Sequence, residues 1–375
     1  MLKIAHIDTG RSLGGGQRQL LLLARGLRCR GHRQWIACPH GSELESSAEV
    51  AGFQVLRLPW RDPGHVRAAF ALHHLLKAEY LDIIHAHDGR GQSIAWLASF
   101  GSNARRIASR RVTFLPGWRA LHRMKYQRTC DAVIAVSNYV KSLLLQCGVP
   151  GRMIEVIYDG IEIPERLPSV EERTAARQRW GFAENDFVIG NLSPFRPEKG
   201  HETAIQAASL LVSNPGKVKW LFAVSSSSAE TGRRSTLALL VPANVRIIPT
   251  PEVLSEFFAA IDLYVMPSLA EGLGSSALLA MAHGLPVAAS RVGGLPEVIE
   301  DGKTGWLFPP GSAQELADVV VHTLDNREEL KRLGAAACVK AQEFSDDIMI
   351  SRTEALYLRL RAGLSSIERI ATECR

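Results

Sequence analysis

"DLYVMPSLAEGLGSSALLAMAHGLPVAAS", Asp262 to Ser290, compresses a strand, a glycine-bearing loop, a helix and a second strand into one run. "DLYVMPS" and "LPVAAS" are short apolar segments bounded by turn residues, and the apolar run "SSALLAMA" between them reads as a helix. Strand, helix and strand in succession argue for parallel pairing, with the helix covering one face of the sheet. One acid, Glu271, stands where the first strand gives way to the helix, and no further acid follows within that helix.

The same alternation extends outward in both directions. "KIAHID", "RQWIACP", "FQVLRLP", "DIIHAH", "RRIASR" and "DAVIAVS" form one set of strands. "FVIGNLS", "VKWLFAVS", "NVRIIP", "DLYVMPS", "LPVAAS" and "GWLFPP" form a second. Between the sets, "EIPERLPSVEERTAARQRWGF" breaks the pattern with prolines and charge and reads as a linker near residues 162–186. A chain of 375 residues exceeds what one hydrophobic core organises. The expected division is a first α/β domain over 1–165, a second over 166–345, and a helical segment over 346–375 that packs back on the first.

Composition narrows the class. With 46% hydrophobic and 22% charged residues the chain is of globular type, and its net charge is +6. Residues 1–165 hold 22 Lys and Arg against 13 Asp and Glu, a net +9, while the remainder holds 22 against 25, a net −3. The first half is therefore expected to meet something anionic. Six scattered cysteines, without metal-like spacing, suit a reduced compartment. The N-terminus opens directly on a strand, and no run approaches the roughly 20 apolar residues of a membrane span, so a cytoplasmic protein is expected.

Ligands of open α/β sheets sit at the carboxyl ends of the strands. Gly14, Gly15 and Gly16 follow the first strand and open a helix, which allows close backbone approach and leaves N–H groups facing an anion. The spacing is not G-x-G-x-x-G, and the second strand ends without a ribose-binding acid, so an NAD enzyme is not expected. In the second half, "FVIGNLSPFRPEKG" places Arg196 and Lys199 in the loop after its first strand, where two cations suit a pyrophosphate.

Taken together, "GGGQRQLLLLARGLRCRGH", "DIIHAHDG", "DAVIAVSNYVKSLLLQCGVPGRMIEVIYDGIE", "RPEKG" and "MPSLAEGLGSSALLAMAHGLPVAASRVGGLPEVIEDGKTGWLFPPGS" resemble the family 4 retaining glycosyltransferases over nearly the whole chain. The resemblance implies two facing Rossmann-like domains with a cleft between them, the glycosyltransferase B type. It makes Glu271 the first acid of the family's Glu-x7-Glu motif, beside the donor sugar, and Glu271, Arg196 and Lys199 the catalytic set. It places Gly14, Gly15, Gly16, Gly272, Leu273, Gly274, Ser275 and Glu297 at the donor, with Gly293 and Gly294 in the adjoining "VGGLPE" loop.

Two positions depart from the family. Its second glutamate is here Leu279, which costs the nucleotide ribose a carboxylate partner unless Glu297 compensates. The family's histidine after the strand "RRIASR" is replaced by Arg110 and Arg111, which can neutralise phosphate but not shuttle protons at neutral pH. His85 and His87, two apart on a strand, share a face and mimic a metal pair, but no third ligand is evident in sequence. They join Arg110 and Arg111 as acceptor-side candidates. No D-x-D occurs, so metal-independent transfer is expected, with no cofactor beyond a UDP-, GDP- or ADP-linked sugar as substrate.

"RRIASRRVTFLPGWRALHRMKYQR", Arg105 to Arg128, holds eight cations and no acid. It is a solvated face or, with Phe114, Leu115 and Trp118, a contact for an anionic acceptor or the inner face of the cytoplasmic membrane. No nucleic-acid motif accompanies it, and nucleic acid is not expected as a partner. The reading is a retaining hexosyltransferase acting on a glycan or lipid-linked acceptor of the cell envelope, such as a lipopolysaccharide. The alternatives are a non-catalytic nucleotide-sugar or glycan-binding protein on the same fold, and a sugar-nucleotide epimerase.

Overall fold

The computed structural model describes residues 1–59, 65–113, 119–212, 218–224 and 241–363. The chain forms two compact units, Met1–Gly160 with Asp346–Arg375, and Ile161–Ser345. The first division thus falls after Gly160 rather than after 165, and the final helix, Asp346–Arg361, is part of the first unit.

The first unit is built on β1 (Lys3–Ile7), β2 (Arg33–Pro39), β3 (Gln54–Leu58), β4 (Ile83–Ala86), β5 (Arg105–Arg110), β6 (Ala132–Ala135) and β7 (Ile154–Val156). All pair in parallel, in the order β3-β2-β1-β4-β5-β6-β7. β7, three residues long, has no clear signal in the sequence. Central strands such as β4 and β6 are buried on both faces, so their sequences run apolar without alternation. The helix Gly15–Cys29 buries Leu20, Leu21, Leu23, Ala24 and Leu27 against the sheet.

The Asp346–Arg361 helix lies on that same helix. A Cβ at Gly26 would come within 2.1 Å of Ile350 Cδ1, so only glycine admits this approach. Arg30 ties the contact at its edge, donating to Asp347 at 2.6 Å and Glu354 at 2.7 Å.

The second unit is built on β8 (Phe187–Leu192), β9 (Val218–Val224), β10 (Val245–Pro249), β11 (Leu263–Met266), β12 (Val287–Ser290) and β13 (Gly305–Phe308). They are parallel, in the order β10-β9-β8-β11-β12-β13. Both sheets therefore reverse strand order beside their first strand, at β1/β4 and at β8/β11, where a doubly wound sheet opens a crevice at its carboxyl edge.

The charged stretch read as a linker is integral to the second unit. It contains the helix Val170–Arg179, started by a Ser169–Glu172 capping box. The buried Arg177 donates to Asp262 at 2.6 Å and to the carbonyls of Ala183, Glu184 and Asp186, and Arg173 reaches the same carboxylate at 2.5 Å. Ion pairing rather than an apolar stripe docks this helix, which is why its hydrophobic pattern is weak.

Candidate functional site

In the second unit, β8 runs into the turn Pro197–Lys199, and β11 runs into the loop that precedes the helix Ser275–Ala282. The two loops are joined through backbone, with the Leu269 N–H donating to the Glu198 carbonyl at 2.8 Å. A Cβ at Gly200 would lie 1.8 Å from the Pro267 oxygen, so the approach requires glycine there. This brings Lys199 Nζ to 2.6 Å from Glu271 Oε2, with both side chains largely buried. The Ser268 hydroxyl lies 3.4 Å from the same oxygen. The sequence placed both residues near a donor but did not pair them. Arg196, by contrast, is exposed.

Gly274 caps the following helix at φ 106°, a conformation that favours glycine. Gly272 and Leu273 are buried beneath, and Ser275 opens the helix half-buried. The glycines of "VGGLPE" serve the protein itself. Positions for a Cβ at Gly293 and Gly294 fall 1.8 Å from the Glu271 oxygen and 2.3 Å from the Gly272 oxygen. They let one loop back directly onto the other, the close approach that their glycines favoured. Glu297, on the short helix Leu295–Val298, is half-buried. Leu279 is also half-buried, whereas its neighbour Leu278 is fully so. The side chain at the departed position therefore lies outside the core.

The carboxyl edge of the first sheet is different in kind. Asp8 follows β1, His87 and Asp88 follow β4, Arg111 follows β5 and Asp159 follows β7. Arg111 Nε donates to both Asp159 oxygens, at 2.9 and 3.3 Å. Asp88 caps the helix Gly89–Ala98 and accepts from the Thr9 hydroxyl. Asp8 is held by Gln17 at 2.8 Å and the Gly10 N–H at 2.8 Å. Burial, then the Asp88 charge, raises the Asp8 pKa, with Gln17, Gly10 and Arg111 opposing. Beside these groups the helix Gly15–Cys29 begins. Gly14 is its cap, and a Cβ at Gly15 would meet nothing within 4 Å; one at Gly16 would meet only Arg111 Cδ, at 3.9 Å.

The histidine pair is corrected by a third ring. His6 on β1 lies directly across from His85 on β4, and with His87 the three offer ring nitrogens within 4.8 Å of one another. All three are buried. His85 is held at both nitrogens, by Tyr357 Oη at 2.6 Å and Ser109 Oγ at 2.8 Å, so it is not a group that faces an acceptor. Burial lowers the His6 pKa to about 4, against a pull upward from Gln34. Burial also pushes His85 and His87 well below the usual range, helped for His85 by His6 and Arg111 and for His87 by His85, Arg111 and His6. The rings are neutral at pH 7.

The basic segment is partly neutralised by acids outside it. Arg106 pairs with Asp131 and Arg111 with Asp159, while Arg110 Nε donates to the Val112 carbonyl. Lys125 donates to the Gly89 carbonyl at 3.0 Å, and burial lowers its pKa. Arg123, Met124 and Arg128 are exposed on the helix Arg119–Thr129. Phe114, Leu115 and Trp118 lie outside the described residues, as does the side chain of Arg119. Sequence reading passed over Asp8, Asp88, Asp159 and His6; the acids that close "KIAHID" and "HAHD" were the available signal.

Both units resemble known proteins. Residues 13–164 match the family described as Glycosyltransferase Family 4, and residues 172–339 match Glycosyl transferases group 1. The chain is 26% identical over 318 residues to the N-acetyl-alpha-D-glucosaminyl L-malate synthase of Bacillus anthracis, covering 82% of each chain. It is 26% identical over 289 residues to the D-inositol 3-phosphate glycosyltransferase of Nocardia farcinica, covering 71% of this chain and 64% of the relative. HepE of Anabaena, solved with UDP and glucose, superimposes with a TM-score of 0.83 at 22% identity, over 96% of this chain and 99% of its own. The fold is therefore the two-domain, Rossmann-like glycosyltransferase B type, and the chain belongs to the family 4 glycosyltransferases.

Proposed function

We propose that this glycosyltransferase moves a hexose, with retention, from a nucleotide sugar to an anionic glycan or lipid-linked acceptor of the cell envelope. The observation that carries the reading is the Lys199–Glu271 pair at the carboxyl edge of the second sheet. A bound donor would exchange that internal pair for two external ones. Its leaving phosphate takes the ammonium, and its sugar hydroxyls donate to the carboxylate. Gly272, Leu273, Gly274, Ser275 and Glu297 surround this exchange, with Arg196 adding charge. In the first unit, Gly15 and Gly16 open a helix whose first N–H groups suit an anion, while the Gly14 N–H donates to Gln17.

In the proposed step the acceptor oxygen bonds to the anomeric carbon as the bond from that carbon to the phosphate oxygen breaks. The acceptor's proton passes to the departing phosphate, on the same face of the sugar. No separate general base is then required. Arg111, which replaces the family's histidine, neutralises charge without taking the proton.

Two relatives are named for malate and inositol 3-phosphate, both anions, which supports an anionic acceptor. The exposed Arg123 and Arg128, with Met124 between them, support contact with such an acceptor or with an anionic leaflet. No helix among the described residues is long and apolar enough to cross a membrane.

The test is a panel of UDP-, GDP- and ADP-linked sugars, scored for slow hydrolysis and for the nucleotide released, with and without chelator. One donor is expected to be consumed, with chelator having no effect and the product keeping the donor's anomeric configuration by NMR. A requirement for added manganese or magnesium, or an inverted product, sinks the mechanism. Binding without turnover of any donor would instead mark a glycan- or nucleotide-sugar-binding protein.

A further inference from the structure

The hydrogen-bond directions around His6 and His87 can be assigned one group at a time. The Ala24 carbonyl only accepts, so the Gln34 amide nitrogen at 2.8 Å donates to it. Gln34 Oε1 is thereby turned toward His6 Nε2 at 2.9 Å, and Nε2 must carry the proton. Neutral His6 then has a bare lone pair at Nδ1, which faces His87 Nε2 at 3.0 Å. His87 donates there, leaving its own lone pair at Nδ1, 3.4 Å from Arg111 Nη1. Every donor points the same way, from the guanidinium toward the helix carbonyl.

The same rings meet the distance condition for a three-histidine metal site. The hydrogen bonds argue otherwise. Both nitrogens of His85 are engaged by Tyr357 and Ser109, and the lone pairs of His6 and His87 are used within the chain. Arg111 would also place a positive charge beside the ion.

At the outer end of the chain, Arg111 is gripped from two sides, by Asp159 at Nε and by His87 at Nη1. Its Nη2 has no hydrogen-bond partner among the described residues, and its side chain is only 15% exposed. We propose that His87, backed by His6 and Gln34, is a positioning residue that fixes the Arg111 guanidinium so that its remaining edge meets a phosphate-class oxygen of the substrate. Only the identity of that phosphate, as part of a nucleotide sugar, rests on the transferase reading. A guanidinium held in advance loses little freedom on binding, which a freely rotating side chain would not achieve.

Inorganic pyrophosphate, titrated calorimetrically into the full-length Lys199→Ala protein, reads the first unit with the second-unit lysine removed. The same titration is made with His87→Asn, His87→Gln or Arg111→Ala added. Asn places a polar atom where Nδ1 stood and keeps an acceptor for Arg111, whereas Gln occupies the Nε2 position and keeps only the bond to His6. Expected affinities are within about 2-fold of the parent for Asn, about 10-fold weaker for Gln, and lost for Arg111→Ala. Equal weakening by Asn and Gln with equal falls in Tm would reduce the chain to core packing and overturn the proposal. So would unchanged binding in Arg111→Ala, or no pyrophosphate binding by the parent. One zinc per chain in the purified wild type, absent from His6→Asn, would overturn it in favour of a metal site. The expected order without turnover of any nucleotide sugar would support the positioning role while removing the transferase reading.

Discussion

The two sheets share a strand order around their switch points, yet their carboxyl edges are made in opposite ways. At β8/β11 the loops meet backbone to backbone through Gly200, Gly293 and Gly294, leaving one charged pair, Lys199 with Glu271. At β1/β4 side chains meet side chains. Asp8, Asp88, Asp159 and Arg111 form the rim, and neutral His6, His85 and His87 lie beneath. The first arrangement leaves its pair free to be exchanged for a ligand. The second keeps its groups engaged with one another, and among them the Arg111 guanidinium retains an edge that no described residue meets. A common topology thus sets where a ligand can go, but not how the groups that meet it are held.

The contrast predicts unequal sensitivity to substitution. Lys199→Ala should cost about 10²- to 10³-fold in kcat/KM, because it removes a charge that acts on the phosphate as it leaves. Its Tm should fall modestly, since the largely buried Glu271 carboxylate loses its partner. Near-normal kcat/KM would break the contrast at its strongest point.

The first unit should instead be exposed through acid. His6 falls from an ordinary 6.5 to about 4 in the fold, and His85 and His87 shift the same way. The unfolded chain takes up protons as the pH drops through about 6.5, while the folded chain resists until near 4. Stability is therefore full above about pH 6.5 and declines toward pH 4. His6 alone contributes on the order of 3 kcal/mol to that loss. Denaturant titrations at pH 7 and pH 5 of wild type and His6→Gln would show it; equal slopes for both proteins would remove the neutral-histidine account.

Leu279→Glu sharpens the other side of the contrast. The position is half-buried and outside the core, so Tm should hold while nucleotide affinity tightens about 10-fold or more through a restored ribose contact. A sharp fall in Tm without tighter binding in calorimetry would mean that the ribose is held elsewhere. The smallest effect expected is that of Tyr357→Phe. Removing the hydroxyl that bonds His85 should cost about 1 kcal/mol in stability and leave turnover within about 2-fold. A larger loss of turnover would tie the final helix to the chemistry.

Much of this was legible in the chain. The six strands of the second sheet and the first six of the first sheet were readable from apolar runs between turn residues. Glu271, Lys199 and their glycines were readable because each lies in a contiguous loop after a strand. The short β7 and the helix Val170–Arg179 were not, one for lack of length and the other because an arginine pair docks it on Asp262.

What the sequence determined by itself was the architecture and the positions of loops, since both follow from local periodicity and from glycine's freedom within a few residues. What only the tertiary structure decided was partnership. His6, Gln34, His87, Arg111 and Asp159 come from five separate strand–loop segments, and Tyr357 reaches His85 from 272 residues further along the chain. No local pattern encodes such meetings. They arise because parallel strands bring their ends together, and burial then forces each polar group there to find a partner.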